Sequence, residues 1–175
     1  MKNFIKLLII FLVLIFPKVS NAEILSGGIK IDHIASYGPE LIRYSALGET
    51  SLVEKLLINH ADPDQKFMKI TASFVAIYKN YPDILELLLK YGADPDMNYM
   101  GETLLGFSIY RGSDECSNIL ILYGADINLK SLNKTPLYLA LKKKNTKMAK
   151  ILYSKGAQVD KSSKKIIKKL SLSFE

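Results

Sequence analysis

The sequence predicts an all-α solenoid, a stack of short helix–turn–helix units, and two observations carry that prediction. The first is a recurrence at a fixed interval of 32 residues. Ala61, Ala93, Ala125 and Ala157 keep it, each preceded by His60, Gly92, Gly124 or Gly156. Asp62, Asp94 and Asp126 follow, with Gln158 in the fourth copy, and Asp64, Asp96, Asn128 and Asp160 stand two residues further on. Thr71, Thr103 and Thr135 hold the same phase. The second observation is that each interval contains two short apolar helical patterns. Such units cannot bury an apolar face alone and must stack on their neighbours.

The elements follow in order along the chain. Residues 1–22 read as an export signal. Lys2 and Lys6 give a positive start, Leu7 to Phe16 is free of polar groups, and Ser20-Asn21-Ala22 supplies small residues for cleavage after Ala22. The competing reading is an uncleaved anchor, but the apolar run spans only about 15 Å as a helix, half of a ~30 Å hydrocarbon core. Residues 23–38, with Ile24, Leu25, Ile31 and Ile34, suit a partial N-terminal cap. The units themselves are placed at about 39–66, 67–98, 99–130 and 131–160. The fourth is the clearest: Thr135-Pro136 caps and opens a helix whose apolar face holds Leu137, Leu139, Ala140 and Leu141. Its second helix runs through Met148, Ala149, Ile151 and Leu152 and stops at Gly156, where left-handed backbone can end it. In the second unit Pro82-Asp83 opens a helix apolar almost all round, which implies burial on both sides. Ser163 to Ser171 reads as a last helix inside a basic capping segment and tail, 161–175, with Ile166, Ile167 and Leu170 on one side.

These residues resemble the ankyrin repeat. Thr135-Pro136-Leu137-Tyr138-Leu139-Ala140 is similar to that family's T-P-L-H-x-A signature. Leu88-Leu89-Lys90-Tyr91-Gly92-Ala93-Asp94 and Tyr123-Gly124-Ala125-Asp126-Ile127-Asn128 are similar to its second-helix ending. The resemblance covers about 38–160 and implies an ankyrin-repeat solenoid with hairpin loops between units. Departures are specific. Ile42, Phe74, Gly106 and Tyr138 occupy the signature histidine position, and Asn80 and Lys144 stand where glycine usually closes the first helix. The first unit lacks the Thr-Pro opening.

Composition excludes several classes. Of 175 residues 49% are apolar and 23% charged, so the chain can bury a core and lacks the signature of disorder. A single cysteine excludes an internal disulfide framework and a cysteine-based zinc or iron–sulfur centre. Cys116 falls on the apolar face of a helix, as a structural thiol does. The pairs Asp62/Asp64 and Asp94/Asp96 invite a calcium reading, but they lack the ligand ladder and central glycine of a calcium loop. Gly27-Gly28 lacks the further glycines of a phosphate cradle, and His33 and His60 have no nucleophile near them in sequence. The expectation is a protein with no catalytic site, no cofactor and no metal, and no membrane span after residue 22.

The resemblance implies a protein-binding module that meets its partner through hairpin tips and inner helices. The corresponding positions are Phe67, Met68, Ile70, Tyr78 and Lys79 in the second unit and Tyr99, Met100, Glu102, Tyr110 and Arg111 in the third. The fourth offers Ser131, Leu132, Lys134, Lys142 and Lys143. Aromatic, methionine and arginine side chains are the types enriched at interface hot spots. The Tyr78–Tyr110 ladder is open to a second reading, as packing between units. Charge supplies another feature. Residues 23–141 carry 10 basic and 15 acidic groups, whereas 142–175 carry 11 lysines against Asp160 and Glu175. An anionic surface is therefore an alternative partner for the C-terminal end. Nucleic acid is not expected, because no reading motif is present and lysines outnumber arginines 22 to 2. The export segment places the mature protein in a periplasm or outside the cell.

Overall fold

The structure, a computed structural model, describes residues 39–171. Residues 1–38, where the sequence predicts an export signal and a cap, and residues 172–175 of the expected tail lie outside the described residues. The four units supply α1 (Glu40–Leu47) and α2 (Thr50–Ile58), α3 (Ala72–Lys79) and α4 (Pro82–Lys90), α5 (Leu104–Arg111) and α6 (Asp114–Leu122), and α7 (Pro136–Lys142) and α8 (Thr146–Ser154). A last helix, α9 (Lys161–Leu170), closes the stack. The first helices pack in one row, α1 on α3 on α5 on α7, and α9 continues that row against α7. The second helices α2, α4 and α6 form a parallel row behind it, each also packed on the first helix of its own unit. One buried cluster runs through the stack.

The recurring residues now have physical roles. Thr71, Thr103 and Thr135 are helix N-caps: their hydroxyls accept the backbone N–H of Phe74, Gly106 and Tyr138 at 3.3, 3.1 and 3.3 Å. Each such cap is worth about 1 kcal/mol. Left-handed residues end the first helices at Gly48, Asn80 and Gly112, with Lys144 just past α7. His60 takes the same conformation after α2 that Gly92, Gly124 and Gly156 take in later units. The acidic pairs form a ladder. Within a unit, Asp62, Asp94 and Asp126 accept the backbone N–H two residues on. Between units, Asp64, Asp96 and Asn128 accept the N–H of Asp94, Asp126 and Gln158 at 2.8–2.9 Å. The carboxylates recur because every unit is tied to the next by a side-chain acceptor at this corner.

Packing explains the departures from the family signature. Phe74 stacks on Phe107 with centroids 4.3 Å apart and meets Tyr99 at 5.1 Å, so an aromatic cluster replaces the polar link that histidine would make. Gly106 is required by closeness. A Cβ there would overlap the side chain of Ser131 from the following hairpin. The ends differ from the middle. Leu52, in the first described unit, is 38% exposed, while Ile84, Cys116 and Met148 at the equivalent positions are at most 1% exposed. At the other end α9 starts at Lys161, two residues before the expected Ser163. Asp160 caps it, accepting the Ser163 N–H at 2.6 Å.

Candidate protein-binding surface

The hairpins between units place one set of candidate residues. Asn98–Tyr99 pairs antiparallel with Glu102–Thr103, and single bridges join Phe67 to Ile70 and Ser131 to Lys134. Each is a two-residue turn, Met68-Lys69, Met100-Gly101 and Leu132-Asn133, with both residues in left-handed backbone. Such turns favour asparagine and glycine, because a Cβ in this conformation costs roughly 1 kcal/mol. Here the leading position holds methionine or leucine, and the side chain faces solvent: Met68 is 41%, Met100 73% and Leu132 56% exposed. The Leu132 N–H donates to the Gly101 carbonyl at 2.8 Å, so adjacent tips are held in line.

A second set lies at the opposite end of the first helices, about 12 Å away by the length of an eight-residue helix. Tyr78 and Tyr110 are exposed, and a cation from the next unit covers each ring. The Arg111 guanidinium sits 4.6 Å from the Tyr78 ring centre and donates to the Tyr78 carbonyl at 3.2 Å. Lys143 stands 3.9 Å over Tyr110. The two readings of the tyrosine ladder are thus joined. The rings do pack between units, and the same contact presents a row of exposed aromatic and cationic groups. Cation–ring contacts at exposed sites are worth about 0.5–1 kcal/mol each, enough to orient the side chains.

Not every candidate reaches this surface. Met68, Tyr78, Met100, Tyr110, Arg111, Lys142 and Lys143 are exposed, with Leu132 and Lys134 beside them. Phe67, Lys79 and Tyr99 are half-buried, Tyr99 against Phe74. Ile70 and Ser131 do not belong to the surface, being 2% and 4% exposed. Ile70 points inward from its bridge, and the Ser131 hydroxyl accepts the Thr103 N–H at 3.3 Å beneath the hairpin. Glu102 is half-buried, and burial pushes its carboxyl above the ordinary range.

Cys116 is fully buried, and its thiol is pushed up to about 11, first by burial and then by the Glu115 charge. Among the described residues no group of three or more histidine, cysteine or acidic side chains could hold a metal ion. None of the described helices is long and apolar enough to cross a membrane. In comparisons with known proteins, a family model of ankyrin repeats (3 copies) matches residues 41–131 and again 101–163. A search of curated proteins returned no match.

Proposed function

The chain belongs to the ankyrin-repeat family, and from that premise we propose that it is an exported protein-binding module. Ankyrin repeats are generally protein–protein interaction modules. The contact surface in this reading is the hairpin tips and first helices of units two to four. One observation carries it: Met68, Met100 and Leu132 project into solvent from left-handed turn positions. The turn itself would be better served there by asparagine or glycine, and a partner covering these large apolar side chains would bury the surface they leave in water. The Tyr78–Arg111 and Tyr110–Lys143 pairs add the residue types that anchor interfaces.

The test is capture from the cell envelope by the mature chain, residues 23–175. Tyr110→Ala combined with Arg111→Ala, and Met100→Ser separately, should each weaken the captured partner at least ten-fold. Glu86→Ala with Asn118→Ala, exposed on the second helices, should leave capture unchanged. Equal capture by all four proteins with intact helical circular dichroism would refute the reading. Export is supported by the Lys2/Lys6 start, the Leu7–Phe16 run and the Ser20-Asn21-Ala22 site. The protein recovered outside the cytoplasm should begin at Glu23, and recovery only of a cytoplasmic chain beginning at Met1 would overturn it.

A further inference from the structure

The C-terminal end of the stack carries a surface that partner capture does not use. Helix α9 is two-sided. At about 100° per residue, Ser163, Ile166, Ile167 and Leu170 share one side. Ser163 is buried there, and both isoleucines pack against the core. Lys161, Lys164, Lys165, Lys168 and Lys169 fall on the opposite side, within an arc of about 140°, and all are exposed. Lys147, Lys150 and Lys155, in and just after α8, are exposed as well. Among the described residues none of these eight lysines pairs with a carboxylate. Asp160, at the start of α9, is already engaged by the Ser163 N–H and the Thr135 hydroxyl.

Solubility does not call for this arrangement. A soluble surface needs charges of both signs, and here lysines stand one turn apart at 161/165, 164/168 and 165/169, where they repel. The chemistry also argues against a protein partner at this end. Lysine is depleted in protein interfaces, and the outward side of α9 holds no aromatic, methionine or arginine anchor. Both arginines, the side chains with a forked geometry for individual phosphates, lie in other units. What remains is a broad field of flexible point charges, suited to a surface of many anions. Ile166 and Ile167 on the other side of α9 pack against the core, so the lysines are the side chains left to meet such a surface.

We propose that this end of the solenoid docks on an anionic lipid surface, with the α8 and α9 lysines against headgroup phosphates and no apolar insertion. The proposal is independent of the protein-binding reading. The experiment is co-sedimentation of the full chain with vesicles of phosphatidylcholine containing about one third phosphatidylglycerol, and with phosphatidylcholine alone. The readout is the ratio of the two, because the apolar N-terminal run enters both alike. Each lysine near such a surface contributes roughly five-fold in partition. Lys164→Glu, Lys165→Glu, Lys168→Glu and Lys169→Glu together should lower the ratio by about two orders of magnitude or more. The same four positions changed to Gln, which puts no negative charge at the helix end, should lower it in the same direction. Lys55, Lys66, Lys90 and Lys130 changed to Glu, an equal charge change elsewhere, should leave it within a few-fold. The excess on the anionic vesicles should vanish between about 0.1 M and 1 M salt, as the screening length falls from ~10 Å to ~3 Å. Equal sedimentation with both vesicles, persistence of the anionic excess at high salt, or equal losses in the two glutamate sets would overturn the proposal. So would preferential capture of poly-aspartate or of duplex DNA at matched anion content.

Discussion

Gly106→Ala should destabilise the protein, although the same change in an ordinary helix stabilises it. Gly106 lies in α5 with helical backbone, so helix propensity alone favours alanine by about 1 kcal/mol. The structure opposes this gain. A methyl at 106 would overlap Cβ and Oγ of Ser131 and come within 3.0 Å of the Thr103 hydroxyl. Forcing the hairpin outward costs about 1–3 kcal/mol as overpacking. It also pulls the Ser131 hydroxyl from the Thr103 N–H, and an unsatisfied buried donor costs a further ~1–3 kcal/mol. The net loss is about 2 kcal/mol or more, roughly 1 M in urea midpoint. The chain has no tryptophan, so helical circular dichroism is the signal to follow. A double-mutant cycle locates the cause. If the overlap with Ser131 is responsible, Gly106→Ala combined with Ser131→Gly should be more stable than the two separate losses added together, by about 1–2 kcal/mol. A midpoint for Gly106→Ala above that of the wild type, or strict additivity in the cycle, would refute the reasoning.

Two further outcomes follow from the titrating groups. Burial pushes the Asp160 carboxyl up, but the Ser163 N–H and Thr135 hydroxyl outweigh it and hold the group below its ordinary 3.8. Its contribution is therefore complete above that value and is lost as pH falls through the lower, folded one. The stability difference between wild type and Asp160→Asn, followed from pH ~5 to ~2 by urea unfolding, should shrink as the solution is acidified; a constant difference would count against the cap. Cys116, raised to about 11 and buried, should resist a disulfide reagent at pH ~8 in the native protein and react as urea passes the unfolding midpoint. Labelling of the native protein at the rate of a free thiol would contradict that burial.

What was legible in the sequence is what the stack repeats for a reason of its own. Threonine recurs because each first helix needs a capping oxygen at the same place. Aspartate and asparagine recur because each corner needs a short acceptor to hold the next unit's backbone. These demands are local and identical in every unit, so they leave a periodic trace. Contacts made once leave none. Ser108 and Ser117 bond to each other at 2.8 Å inside α5 and α6, where Ala76 and Leu85 or Ala140 and Ala149 pack in the neighbouring units. In sequence those serines look like gaps in an apolar run. The requirement for glycine at 106 was hidden in the same way, because it depends on one residue 25 positions away.

The candidate surface was half legible, and the missing half is the more telling. The family resemblance nominated Ile70 and Ser131 together with Met68 and Leu132, since all four lie at the hairpin tips. Burial then divides them by position in the turn: Ile70 and Ser131, at the bridges, are buried, whereas Met68 and Leu132, at the first central position, are exposed. The sequence could not announce those turns, because Met-Lys, Met-Gly and Leu-Asn are not the pairs that left-handed backbone selects. Only Gly101 and Asn133 carry that signal. The mismatch is itself informative. Pairing the strands and aligning the tips require the turn but not the methionines, whose side chains are largely turned to solvent. A repeat of the mismatch in three successive hairpins, always at the same turn position, is therefore better explained by something the tips meet than by the fold they close.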